Sequence, residues 1–439
     1  MSKITTSQIV EAWSPLMEDV EGLPNVQDSN KRAVLAQVLE NTRNDGLMNY
    51  GVSGFELNEA APMNNSGITA GGVDPAGFAK YDPIMVGMLR RSMPNLMAFD
   101  VMGTQALNGP TGLIFSIRAR YGDRTGPEAL FNEADTDFTG AGTHAGSNPV
   151  SGAYTTGTGM TTPVGEALGT SGGGTWPEMS FTIEKISVAA KTRAVKAEYT
   201  TELAQDFKAV HGGDAETELS NILSNELIFE TNRQCIRTLY TVAMTGALTT
   251  AVPGTFDLDV DANGRWSVEK FKGLGFQLGR EANLVAQRTR RGKANIMIVS
   301  ADVAIALQAA GQLDYAPALD ATTKIGDVDD TGNTFVGYFG KIKVFIDPYS
   351  ANLNAASQFA VLGYRGSQWD AGLYYCPYTP IQMVKAIDPS SFQQKIAFKK
   401  REGLVSNPFV FKADGSQDGE QLTAGRNHYY NKIAITNLM

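Results

Sequence analysis

Histidine and cysteine are scarce in this chain of 439 residues, with three of the first and two of the second. Cys235 and Cys376 lie far apart and share no CxxC spacing, so neither a disulfide framework nor a zinc site is expected, and an intracellular folding compartment fits. His144, His211 and His428 stand singly, none at ligand spacing from another His, Cys or carboxylate pair. No apolar run approaches the ~18 to 20 residues of a membrane span. The opening MSKITTSQIVEAW lacks the basic-then-apolar order of a secretory leader, so a soluble protein with no membrane partner is expected. Charged residues make up only 19% and sum to −9, which argues against nucleic-acid binding over a broad surface.

Catalytic motifs are also missing. Gly169-Thr170-Ser171-Gly172-Gly173 spells GxSxG, but a nucleophile elbow needs a strand before the serine and a helix after it. Here the pattern sits in a run of glycines. Asp259, Asp261, Asn263 and Gly264 begin a calcium loop whose last position should be Glu and is Lys270. Gly292-Lys293 is followed by Ala294, so no phosphate loop is present. The cluster Arg288, Arg290, Arg291, Lys293 could meet an acidic neighbour or DNA, or simply close a helix. The residues therefore name no catalytic, cofactor or metal site, and the chain is not expected to be an enzyme.

What is present is an α+β pattern. Asp214 to Thr245 has no Gly or Pro, acidic residues in its first turn, and an apolar stripe of Leu219, Ile222, Leu223 and Leu227. This predicts one helix roughly 45 Å long at 1.5 Å per residue. Residues 1–59 hold nine acidic and four basic side chains, −5 of the total. Two amphipathic helices are expected there, Thr6 to Val20 and Asp28 to Asn41, the second with a stripe of Val34, Leu35, Val38 and Leu39 free to dock on a partner. Residues 60–80 read as an extended arm and Pro83 to Ser92 as a short helix.

Leu113 to Tyr121 alternates Leu113, Phe115 and Ile117 with Ser116, Arg118 and Arg120, a strand with an apolar inner and a basic outer face. Met179 to Val195 is its expected partner in a long hairpin, which would need another subunit for support. Between them, Gly122 to Glu178 is rich in Gly, Thr and Ser and is expected to be a mobile surface insertion. Downstream, a helix over 267–287, a strand over 294–300, a helix over 301–310 and strands at 341–346, 359–363 and 372–384 complete the pattern.

Three long stretches carry a resemblance: Arg90 to Gly122, Glu178 to Leu223 and Gly363 to Phe409. In this order they resemble the major capsid proteins of large T-even-like tailed phages, which have the Hong Kong 97-like fold. The resemblance implies a removable propeptide (1–59), an N-arm (60–111) and an E-loop hairpin (112–195) with its insertion at 122–178. A peripheral domain (196–285) would contain the spine helix 214–245, followed by an axial domain (286–385) and a return to the peripheral domain (386–439).

The implied role is self-assembly into hexamers of an icosahedral shell around double-stranded DNA, touched non-specifically on the inner face. The implied partners are the vertex protein, scaffold, assembly protease and portal of the head. The implied location is the virion, and the host cytoplasm during assembly. Leu57-x-Glu59 before Ala60 resembles the family's maturation cut, while Arg118, Arg120 and Lys196 are candidates for intersubunit pairing. A pentamer-forming vertex paralogue is the alternative, followed by a non-viral surface-array or adhesion protein.

Overall fold

The computed structural model describes residues 6–17, 26, 28–50, 96–130, 133–146, 149–150, 154–171, 174–212, 215–262, 266–315, 334–347, 358–387, 393–410 and 422–438. The arm expected at 60–80, the short helix expected at 83–92 and the expected Leu57-Glu59-Ala60 site lie outside these residues. The chain divides into two compact units, one formed by Met1–Leu113 and Ser187–Met439, the other by Ile114–Ile186.

The larger unit opens with helices α1 (Thr6–Met17) and α2 (Ser29–Tyr50), then a single turn α3 (Ala98–Val101) and strand β1 (Gly103–Thr104). The first helix is described as far as Met17, residues 18–20 of its expected range lying outside the described residues, and the second runs nine past Asn41. Their apolar stripe is not free for a partner. Trp13, Met17, Val34, Leu35 and Val38 are buried in one cluster with Met97, Phe99, Ile236, Leu239 and Tyr375 of the same unit.

Strands β2 (Thr111–Tyr121), β3 (Glu128–Ala129) and β4 (Met179–Ala189) form a three-stranded sheet in the order β3-β2-β4, and helix α4 (Thr162–Ala167) lies in the connection. β2 and β4 run antiparallel: the Gly122 amide donates to Glu178 O at 2.8 Å, and the Ala190 amide to Pro110 O at 2.9 Å. The expected second strand stops there. Residues 191–199 form a separate strand, β5 (Lys191–Tyr199), which joins a different sheet by pairing with Gln394–Glu402. The apolar positions change face within β4, where Phe181 and Ile183 are exposed and Ile186 and Val188 are buried.

Helix α5 (Thr201–His211) is capped by the Thr200 hydroxyl, which accepts from the Leu203 amide at 3.2 Å, and it ends at Gly212 with φ +68°. The long helix α6 spans Ala215–Val242, and Ala243–Thr245 becomes strand β6 instead of further helix. Its buried face follows three- and four-residue steps through Leu223, Leu227, Thr231, Cys235, Leu239 and Val242. Ile222, expected in that stripe, is exposed.

Strand β7 (Thr255–Asp257), helix α7 (Ser267–Thr289), strand β8 (Ile296–Val299), helix α8 (Ala301–Ala309) and strands β9 (Asp314–Tyr315), β10 (Thr334–Phe339), β11 (Ile342–Ile346) and β12 (Gln358–Gly363) follow. A small hairpin, β13 (Arg365–Ser367) with β14 (Asp370–Ala371), precedes the long strands β15 (Leu373–Ile387) and β16 (Gln394–Ser406), and β17 (Asn427–Thr436) comes last. One mixed sheet has the order β6-β17-β12-β8-β11-β10-β9, with β7 also on β17; another has the order β1-β15-β16-β5. The central strand β8, IMIV, is buried on both faces. That is what a continuous apolar run requires of a strand flanked by packed layers.

Long helix and long strands are joined through one buried carboxylate. Glu402 on β16 lies 3.2 Å from Arg193 of β5 and 3.3 Å from Lys400, and accepts from the Tyr375 hydroxyl at 2.7 Å. Lys400 also donates to the Leu227 carbonyl in the middle of α6, at 3.0 Å. Burial pulls the Lys400 ammonium below its usual range, with Glu402 opposing the shift. At the far end of α6, Arg233 and the Tyr240 hydroxyl both reach the fully buried Asp347 at 2.8 Å.

Candidate assembly surface

The smaller unit reverses the expected sidedness of its hairpin. Along β2 and β4, Phe115, Ile117, Met179, Phe181 and Ile183 are between 55% and 67% exposed. In antiparallel strands, residues at alternate positions share a face, so these five form one apolar stripe. The opposite face holds the charges. Arg118 is 6% exposed and lies 2.8 Å from Glu184 and 3.2 Å from Glu128. Arg120 donates to Gly126 O at 2.8 Å and to the Thr182 hydroxyl at 3.2 Å, and lies 3.6 Å from Glu184.

Chain between the strands covers that charged face. Gly126 and Glu128 supply partners to the arginines, and Phe138 packs on Tyr121 with ring centroids 4.6 Å apart. The expected basic outer face is thus an inner, ion-paired one. An arginine with carboxylates in reach is not an outward charge, because buried ions persist only when paired.

Nor is the rest of the insertion featureless. Bridges Ala141–Thr158 and Ala145–Thr155 and helix α4 give it local pattern. The Thr136 hydroxyl accepts from the Gly157 amide at 2.8 Å, and Asp137 accepts from the His144 amide at 2.7 Å. That amide bond is the main cause holding the Asp137 carboxyl below its usual range. Polar caps of this kind substitute for a core: none of the described residues in 140–174 is buried.

The other candidates divide. Lys196, in the larger unit, pairs with Glu198 at 2.9 Å, and Lys395 meets the same carboxylate at 3.2 Å. Hydrogen bonds from Lys196 and then Lys395 hold Glu198 below the usual carboxylate range. Leu57, Glu59 and Ala60 are outside the described residues. In the basic cluster, Arg288 donates to Asn431 and to the Thr245 carbonyl, and Arg291 pairs with Asp370 at 3.2 Å. The partial calcium loop is spent internally: Asp261 accepts from the Ala251 and Asp257 amides, both at 3.0 Å, and Lys270 pairs with Asp259. Among the described residues, no group of three or more His, Cys, Asp or Glu could hold a metal.

The hairpin thus presents an exposed apolar stripe on one face and paired charges on the other. Residues 78–435 match the family Major capsid protein Gp23. The major capsid protein of Salmonella phage ViI is 33% identical over 99% of this chain and 99% of its own length. The capsid vertex protein of Enterobacteria phage T4 is 25% identical, over only 53% of this chain and 54% of its own. Among solved structures, the capsid of Myoviridae phage XM1 covers 77% of this chain and 91% of that one at 9% identity, with a TM-score of 0.40. The protein is thus a structural component of a tailed-phage virion. It belongs to the Gp23 family of major capsid proteins, its described helices and strands make an α+β fold, and its place is the head shell; the vertex alternative is not favoured.

Proposed function

We propose that the chain is the hexamer-forming tile of an icosahedral head enclosing double-stranded DNA, with an architectural and not a catalytic role. The observation that carries this reading is the apolar stripe of Phe115, Ile117, Met179, Phe181 and Ile183, left uncovered within its own unit. A second copy covering it would make the head-to-tail contact that closes a ring. In family terms the β2–β4 hairpin is the E-loop, ending near Ala190; α6 is the spine; and 196–285, 286–385 and 386–439 are the peripheral, axial and returning segments. Lys196, paired on an exposed strand, remains a candidate contact, whereas Arg118 and Arg120 act by shaping the hairpin from within.

The working partners of the reading are the head's vertex protein, scaffold, protease and portal. Cutting after Glu59 would take nine acidic and four basic residues from the shell, leaving 37 acidic and 33 basic in 60–439. Less negative charge toward the packaged DNA lowers repulsion. Electron microscopy of the expressed protein, alone or with a scaffold, tests the ring: sixfold rings or tubes are expected, and fivefold rings alone would reject it. Mass spectrometry of filled heads tests the cut; a chain starting at Ala60 is expected, and an intact Met1 or Ser2 start would reject it.

A further inference from the structure

The helical hairpin α1–α2 is held by the larger unit as a ligand is held by a groove. On α2, Val34, Leu35 and Val38 are each at most 2% exposed, as is Met17 of α1, and Trp13 is 4% exposed. They share a cluster with Met97 and Phe99 around α3, Ile236 and Leu239 of α6, and Tyr375 of β15. Anchors at three- and four-residue steps laid into an apolar groove are how an amphipathic helix is recognised as a separate partner.

Polar contacts fix the register. The Asn41 side-chain amide donates to Leu107 O at 2.5 Å and to Tyr378 O at 3.0 Å, two carbonyls on different segments. The Trp13 indole donates to Glu40 at 3.2 Å, tying the two helices together, and the Lys31 ammonium stands 5.7 Å from the Phe99 ring centroid. Apart from the Trp13–Glu40 bond within the hairpin, these contacts are made by residues before 51 with residues from 96 onward. None of them needs the connecting chain.

We infer that α1–α2 is a plug that binds its groove non-covalently, so that cutting the chain near residue 59 does not by itself release it. This deepens the maturation reading and rests on it for its biological setting, but the docking stands on its own contacts. Departure of the segment then requires a second event, either further cuts within 6–50 or a change in the groove formed by α3, α6 and β15. Until that event the acidic segment stays with the shell, and the apolar floor it covers stays closed to any other helix.

The test uses the full chain with a site-specific protease sequence inserted between Glu59 and Ala60. Trp13 is buried, while Trp176, Trp266 and Trp369 are 66%, 73% and 66% exposed, so loss of the plug red-shifts the buried component of the emission. After complete cutting at about 1 µM, a range in which a specific complex persists, co-elution of the fragment with 60–439 and unchanged emission are expected. The Asn41→Ala chain, cut in the same way, should hold the fragment roughly tenfold less tightly, since one buried amide donor is lost. Separate elution of the fragment with a red shift from the unaltered sequence would overturn the inference. So would Asn41→Ala holding its fragment as tightly. The terminus found in filled heads decides the cut separately, so either reading can fail while the other stands.

Discussion

Arg118 and Glu184 face each other across the β2–β4 hairpin with 2.8 Å between guanidinium and carboxylate, on the side of the sheet opposite Phe115 and Ile117. Arg118→Ala leaves Glu184 and Glu128 without their main cation in a largely buried site, a loss of about 3 kcal/mol by comparison with other broken buried pairs. Hydrogen exchange over 114–186 should accelerate. The exchanged pair Arg118→Glu with Glu184→Arg should recover part of the loss, because the contact is within one chain. No recovery would point to a partner outside the chain.

Replacing Phe115 and Phe181 together by Ser removes apolar area from an exposed face. Circular dichroism and melting temperature should stay near those of the unaltered protein, since exposed sites away from special features cost at most about 0.5 kcal/mol. Assembly should suffer. At 1 to 2 kcal/mol per anchoring aromatic, the concentration needed for ring formation should rise roughly tenfold or more by sedimentation. Equal assembly at equal concentration would place the subunit contact elsewhere.

Glu402→Ala should be among the most damaging single changes in the larger unit. It would leave Arg193 and Lys400 without the carboxylate they share and the Tyr375 hydroxyl without its acceptor. The expected loss is about 3 to 5 kcal/mol, read as a lower denaturant midpoint. Lys400→Met should cost less, because Glu402 keeps Arg193 and Tyr375 and the ammonium's own burial penalty disappears. The order of the two variants is the check.

Burial pushes the thiols of Cys235 and Cys376 up to about 12. Folding therefore favours the protonated thiol. That contribution is complete below the ordinary thiol value near 9 and is lost as pH rises from there toward 12, at about 1.4 kcal/mol per pH unit for each thiol. Stability should fall above pH 9. Alkylation of the native protein should remain negligible between pH 7 and 9, with both cysteines labelled in denaturant. Rapid native labelling at pH 8 would show that one of them is open to solvent.

Replacing residues 140–174 by a short Gly-Ser connection should leave the larger unit folded. The described residues of that stretch bury nothing, and the pairs that organise the hairpin use Glu128, Gly126 and Phe138, all outside the deletion. Soluble expression and an unchanged melting temperature are expected, and aggregation would contradict the assignment.

Local patterns are legible in this sequence, and structure set by distant residues is not. The long helix was visible because an unbroken stretch of helix formers with apolar residues at three- and four-residue steps has one solution. The switch from helix to strand at Ala243 was not, because the pairing that makes 243–245 a strand comes from residues 427–432. The sidedness of the hairpin misled for a different reason. Alternation tells which residues share a face but not which face is covered, and here the cover is a loop supplying Glu128 to Arg118. A carboxylate in such a loop beside a basic strand was the available signal. The N-terminal stripe was legible as a stripe, but that its groove lies on its own chain depends on contacts with residues as distant as Tyr378.

Strand β17 lies between β12 and β6 and also pairs with β7, although every other strand of that sheet precedes it in the chain. On a ribosome, those strands are made first and wait with open edges for a segment that does not yet exist. The sheet closes only when residues 427–436 emerge. A chain cut short by a stalled ribosome or a nonsense codon therefore carries exposed strand edges, which mark it for chaperones and proteolysis. Translation to near completion thus becomes a condition for entering the lattice, and the shell is proofread for truncated tiles by the order in which its subunit is synthesised.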